Sequence, residues 1–315
     1  MGNAASSPAG SSRLTLERAD VAAAAPDASR GELDQGLDGS RGCRFTPPQE
    51  SAWPSIIAAN GKVRLAWGEH DDEVPAAAPR LLADTGKTYA KFKELFGRDL
   101  PTDANVPCRH GVDGAIDIHL TTELTEDGDG AAYAYSRGCG ATTAWLKVER
   151  PWRRSTLAHE LFHAFQYSVG AVSCVPNSGW STEGMAVWGE IFAFPTDRDH
   201  NRVEDLLEQP GAPFTSFDYS AWPLFRYLEK THGQAALRET LLNVHDLGPL
   251  RALDEAVPGG FEKMWPSLTR IGWNQDPLRT SFRNWDGLTA TRLSRPPPFP
   301  RRSDRPRVLR SRRRG

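Results

Sequence analysis

The chain has 315 residues, 39% of them hydrophobic and 25% charged, which is ordinary composition for a globular protein with a sizeable core. No window approaches the run of about 18 apolar residues that a membrane-crossing helix needs, so no membrane role is expected. The net charge of −2 is unevenly spread: Thr291–Gly315 holds ten of the 38 basic residues and one of the 40 acidic ones. The remaining body therefore carries −11, which argues against a dedicated nucleic-acid binder.

Residues 1–50 are rich in Ala, Ser, Gly and Asp without periodicity and read as a disordered leader or propeptide. The apolar run Val21–Ala25 is too short for the core of a secretory signal, so no signal peptide is visible. A single folded domain is expected over 51–290, with an αβ part to residue 170 and a helical part after it. Val63–Trp67 alternates like a strand. Pro79–Phe96 carries apolar residues at helical spacing and is closed by Gly97. Ile116–Leu120 and Ala144–Val148 are two further strands. Between them, Glu126–Gly130 is an acidic, glycine-rich stretch that reads as a turn, because it lacks the ligand pattern of a calcium loop.

Helical patterns follow over Ser155–Val169 (ended by Gly170), Ser181–Phe192, Ala221–His232 (ended by Gly233), Gln234–Val244 and Phe261–Ile271. Strands first and helices afterwards predict an α+β fold, a mixed N-terminal sheet packed against a mainly helical C-terminal part. The last segment, 291–315, combines its arginines with five prolines and reads as a disordered Arg/Pro-rich tail. The four cysteines, Cys43, Cys108, Cys139 and Cys174, lack the close spacing of a cysteine metal site. Their even number allows two disulfides and suits an oxidising compartment.

The chemistry is concentrated in His159-Glu160-Leu161-Phe162-His163, an HExxH motif. On a helix, residues four apart share one face, so both imidazoles can converge on a single zinc ion. Glu160 then stands beside the metal as the base that takes a proton from the attacking water. HExxH arises by chance in roughly one chain per hundred of this size. The apolar surroundings, Leu157, Leu161, Phe162 and Phe165, imply a buried helix, where two histidines and a glutamate are costly without a shared purpose.

Catalytic zinc takes three protein ligands and keeps one position open. The metzincin continuation is absent, since Gln166 and Val169 stand where Gly and the third His would be. The third ligand is sought instead in Trp180–Glu190. Ser181 or Thr182 would cap that helix and place Glu183 in its first turn. Glu183 and Glu190 are about 10 Å apart along a helix axis, so both cannot ligate one ion. Glu183 is taken as the ligand, and Glu190 as a partner that orients one or as a plain surface carboxylate.

His159-Glu160-x-x-His163 followed by Trp180-x-x-Glu183-Gly184-x-Ala186-x-Trp188 resembles the gluzincin clan of zinc metallopeptidases. Within it, the nearest likeness is to bacterial secreted proteins with a HEFFHAxQ helix, whose glutamine Gln166 matches. The resemblance runs loosely from Val63 to Tyr227. It implies a zincin-like fold, one catalytic Zn²⁺, a peptide or protein substrate, and secretion. Gluzincins stabilise the developing oxyanion with a downstream His or Tyr. Tyr219 is the candidate here, with Tyr227, His200 and His232 behind it. The strand Ala144–Val148 is expected to be able to pair with an extended peptide by edge addition. The resulting expectation is a zinc peptidase, endopeptidase rather than aminopeptidase. The alternatives are a non-catalytic binding protein on the same scaffold and a zinc hydrolase of non-peptide amides or esters.

Overall fold

Strand alternation explains the sheet. In the computed structural model, Val63, Leu65 and Trp67 of β2 (Val63–Trp67) share a buried face with Ile116, Ile118 and Leu120 of β3 (Ile116–Thr121). Leu146 and Val148 of β5 (Thr143–Glu149) complete it. β1 (Ser55–Ile57) and β4 (Ala131–Tyr135) flank these three, giving the order β1-β2-β3-β5-β4. The central pairs β2/β3 and β3/β5 are parallel and the two outer pairs antiparallel, so the sheet is mixed. Residues of the opposite parity make the other face polar: Arg64 pairs with Asp117 at 3.7 Å, and Lys147 with Glu149 at the same distance.

The structure describes residues 55–57, 61–68, 73–102, 114–121, 131–135, 141–172, 178–195 and 212–272. All fall within one unit, Leu37–Gly315, and the fold is α+β. The leader 1–50, the tail 291–315, the stretch Glu126–Gly130, the four cysteines and His200 lie outside the described residues.

Among the described residues there are six helices, the first between β2 and β3 and the others after β5. α1 (Val74–Phe96) crosses between the parallel strands β2 and β3 and buries Leu81, Thr85, Tyr89, Phe92 and Phe96 at three- and four-residue spacing. Gly97, with φ 69°, closes it by donating its N–H to Lys93 O at 2.8 Å. α2 (Arg154–Ser168) and α3 (Gly179–Ala193) carry the candidate site. α4 (Trp222–Leu247), α5 (Pro249–Ala256) and α6 (Phe261–Gly272) complete the helical part.

α1 also fastens the far ends of both site helices. Arg98, just past its C-terminus, donates to Ser168 O at 3.0 Å, and Lys91 donates to Phe192 O and Ala193 O at 3.3 and 2.8 Å. Cations there satisfy unpaired carbonyls at the negative end of each helix.

Two expectations are corrected and a third is borne out. Ala144–Val148 cannot receive a peptide at an edge, because β3 and β4 occupy both of its sides. On that side of the sheet the outermost described strand is β4. Ser181 and Thr182 do not cap α3; the helix starts two residues earlier with Ser178 at the N-cap, and the Ser181 hydroxyl donates to Ser178 O at 2.8 Å. The helices expected at Ala221–His232 and Gln234–Val244 are both present within α4, parted as expected at Gly233, whose backbone (φ 81°, ψ 172°) is not helical.

Candidate metal centre

Both site helices are buried on nearly every side: Leu157 to Ser168 of α2 and Trp180 to Ile191 of α3 are all buried. Phe162 and Phe165 pack against Phe92 of α1 with ring centroids 5.1 and 5.9 Å apart, and against Phe96 at 5.4 and 5.2 Å. Each buried ring contributes about 1.5–3 kcal/mol, and together they fix the rotation of α2 about its axis. His159 and His163 are thereby turned towards α3. The two helices approach closely because Gly189 has no side chain; a Cβ there would lie 2.6 Å from Cδ2 of Phe162.

Three ligand atoms then meet. His159 Nε2 is 3.1 Å from Glu183 Oε2, His163 Nε2 is 3.1 Å from His159 Nε2, and His163 Nε2 is 3.3 Å from Glu183 Oε2. Tetrahedral zinc with bonds of about 2.0–2.1 Å sets its ligand atoms about 3.3–3.4 Å apart. The triangle fits within a few tenths of an ångström. Among the described residues, this trio is the group of His, Cys, Asp and Glu side chains able to hold a metal ion.

The outer nitrogens of both rings are also engaged. His159 Nδ1 lies 2.7 Å from Glu190 Oε1, and His163 Nδ1 lies 2.7 Å from Gln166 Oε1. Gln166 Nε2 donates to Thr182 O at 3.0 Å, which fixes the amide with its oxygen towards His163. Both Nδ1 atoms therefore carry hydrogens, and both Nε2 lone pairs point into the triangle with a carboxylate oxygen. Such an arrangement needs a cation between the three atoms, or a proton in its place.

The charges behave accordingly. Burial works to lower the His159 imidazolium, but hydrogen bonds to Glu183 and Glu190 outweigh it and raise its pKa to about 10. Burial likewise opposes ionisation of Glu183, yet the charge of His163 and hydrogen bonds to both histidines hold its carboxyl well below the usual range. Glu160, next to His159 and buried, has its carboxyl pushed up by burial, only partly offset by the two histidines. A raised carboxyl suits a group that must both take and return a proton near neutrality.

Tyr219 belongs to a short 3-10 turn (Tyr219–Ala221) that leads into α4. Its ring stacks on His159, with centroids 5.7 Å apart and planes 29° from parallel, and 36% of the residue is exposed. Of its stand-ins, Tyr227 is buried in α4 and His232 adjoins the kink at Gly233. The five residues singled out from the sequence, His159, Glu160, His163, Glu183 and Tyr219, thus stand together.

Sequence reasoning missed two neighbours. Gln166 enters the motif only as a pattern match, yet it ties His163 to the backbone of α3. Tyr167 is buried one helical turn beyond His163; burial and the charges of Glu183 and Glu160 push its hydroxyl far above the ordinary range. Its spacing, four residues from His163 and seven from Glu160, is the signal that marks this shared face. No protein-family model matches the chain, and no curated protein matches it.

Proposed function

We propose that the chain is a zinc-dependent peptidase of zincin-like fold, with His159, His163 and Glu183 as metal ligands and Glu160 as general base. The observation that carries this reading is the triangle of two imidazole nitrogens and one carboxylate oxygen, 3.1–3.3 Å on each edge, with a buried glutamate adjoining it. Two imidazoles and one carboxylate suit zinc better than calcium or magnesium, which prefer all-oxygen sets. A zinc ion held there supplies Lewis acidity, making water acidic near neutral pH and polarising the carbonyl under attack.

The chain's own groups supply the rest. Glu160 accepts the proton of the attacking water and returns it to the leaving amine. Glu190 and Gln166 hold the histidines in the tautomer that presents Nε2. Tyr219, whose partly exposed ring stacks on His159, is the group assigned to donate to the carbonyl oxygen as negative charge develops on it. β4, antiparallel to β5 and outermost on that side among the described residues, is the strand whose backbone edge would receive an extended peptide.

The test is metal analysis beside digestion of casein and a mixed peptide library. One zinc per chain, loss of cleavage with a chelator and recovery with zinc are expected. Glu160→Gln should keep the metal and lose activity by about 10²–10⁴-fold. Zinc bound without any cleavage would favour a binding protein on this scaffold, and cleavage surviving Glu160→Gln would refute the mechanism.

A further inference from the structure

The tyrosine that covers His159 is held by glycines on a different helix. Every fourth residue of α3 along one side, Trp180, Gly184 and Trp188, meets Ala221, Phe225 and Glu229 of the turn and α4. Trp180 stacks on Phe225 with centroids 5.9 Å apart and 10° between planes, and Trp188 Nε1 donates to Glu229 at 3.1 Å. Between these two aromatic contacts the turn lies directly on the α3 backbone. A Cβ at Gly184 would be 2.9 Å from Cβ of Ala221, 3.0 Å from Cε2 of Phe225 and 3.2 Å from the backbone carbon of Ala221. Backbone and buried atoms cannot step aside as a flexible side chain does, so any residue but glycine there displaces the turn.

A second close approach lies five residues earlier. A Cβ at Gly179 would be 2.2 Å from Oδ1 and 2.9 Å from Cγ of Asp218, so this carboxylate rests on the first residue of α3. Negative charge is favoured at that end of a helix. Asp218 also opens the turn itself, accepting the N–H of Ala221 at 3.1 Å. The segment Asp218–Ala221 is thus fastened at both ends to α3, and Tyr219 between them is directed onto His159.

We infer that Gly184, together with Gly179, positions the site: by letting Asp218–Ala221 lie on α3, these glycines hold the Tyr219 ring over His159. The same helix thereby presents Glu183 to the metal and Gly184 to the tyrosine-bearing turn. Metal ligand and tyrosine are set by adjacent residues. The catalytic consequence rests on the peptidase reading above, whereas the placement of the ring does not.

The experiment is fluorine NMR on zinc-loaded protein labelled with 3-fluorotyrosine, the Tyr219 resonance being assigned by its loss in Tyr219→Phe. Gly184→Ala should move that resonance towards the free amino acid, and adding Ala221→Gly, which removes the closest of the three contacts, should move it part of the way back. If Gly184→Ala does not fold, Ala221→Ser, which crowds the same contact by one atom from the side of the turn, carries the same expectation; Gly179→Ala should move the resonance less, because its Cβ meets only the end of the Asp218 side chain. Peptidase kinetics then follow. Gly184→Ala should lower kcat/KM by about 10–100-fold with zinc content unchanged, and cost little further in a Tyr219→Phe background. An unmoved Tyr219 resonance in folded Gly184→Ala overturns the inference, as does a resonance that Ala221→Gly does not move back at all. Wild-type protein without peptidase activity, but with the expected resonance changes, defeats the peptidase reading and leaves the positioning role standing.

Discussion

His159 Nδ1 and Glu190 Oε1 lie 2.7 Å apart, while the other nitrogen of the same ring lies 3.1 Å from Glu183. One imidazole therefore bridges two carboxylates that stand two helical turns apart on α3. Only one of them faces the triangle; the other works through the ring. Glu190→Ala should lower zinc affinity by about 10–100-fold, the usual loss when the group orienting a metal-bound histidine is removed. Glu190→Gln should cost less, because its amide oxygen still accepts from Nδ1–H. Competition titration against a zinc chelator of known affinity reads both. Equal affinities for wild type and Glu190→Ala would show that the carboxylate does not orient the ring.

His163 is oriented by a neutral group, so its sensitivity should differ. Gln166→Leu deprives Nδ1–H of its acceptor at a buried position, a loss of about 1–3 kcal/mol in stability. It also frees the wrong tautomer, so zinc affinity should fall along with stability. Gln166→Glu keeps an acceptor for His163 but turns a carboxylate towards the Thr182 carbonyl, 3.0 Å from the present amide nitrogen. Zinc binding should therefore rank wild type above Gln166→Glu, and Gln166→Leu lowest. The reverse order of the two variants would mean that the tie to Thr182 outweighs the bond to His163.

The pH dependence of the metal-free protein follows from the same contacts. Burial disfavours charge on His159, but Glu183 and Glu190 raise its folded pKa from 6.5 to about 10. Its contribution to stability is therefore complete below pH 6.5 and is lost as pH rises through about 10. For Glu183 the sign is opposite: its lowered carboxyl stabilises above the unfolded value of 4.5, and that stability is lost as pH falls below it. These are two views of one interaction and do not add. Chelated protein should be most stable between these limits, with a melting temperature that falls from neutral to alkaline pH. Zinc-loaded protein should lack the alkaline slope, since the ion replaces the proton on His159 and binding releases it. A chelated melting temperature that stays flat from pH 7 to 10 would contradict the assigned contacts.

The parts of this architecture legible in the sequence are those set by local periodicity. Ile116-Asp117-Ile118-His119-Leu120 alternates strictly, and the alternation survives because one face of β3 packs on helices while the other is polar. HExxH is legible because a four-residue spacing on a helix is a geometric statement in itself. β4 gives no such signal: Ala131-Ala132-Tyr133-Ala134-Tyr135 is mostly alanine, a poor strand former, and its pairing with β5 is a tertiary event. α5 hides behind Gly248-Pro249, which reads as a turn although proline also suits the first turn of a helix. The roles of Gln166 and Gly184 depend on what lies opposite them, a carbonyl of α3 and a methyl of the next turn. No spacing within one element reports that.

Gly189 tests whether the helix approach itself makes the site. Its missing side chain lets the Phe162 ring lie against α3, where a Cβ would be 2.6 Å from Cδ2 and 2.9 Å from Cγ of that ring. Phe162 cannot retreat, because Phe92, Phe96 and Trp188 enclose it at centroid distances of 5.1, 5.4 and 6.1 Å. Gly189→Ala must therefore push α3 away from α2 and lengthen the edges of the triangle that join Glu183 to the two histidines. Alanine's better helix propensity returns at most about 1 kcal/mol, less than the roughly 1–3 kcal/mol of overpacking in a closed core. Net destabilisation in urea unfolding is expected, with weaker zinc binding. Phe162→Leu in the same chain should recover part of the zinc affinity by removing the ring edge, although its own loss of packing keeps stability low. If Gly189→Ala binds zinc like wild type, the separation of α2 and α3 is not what sets the ligand triangle.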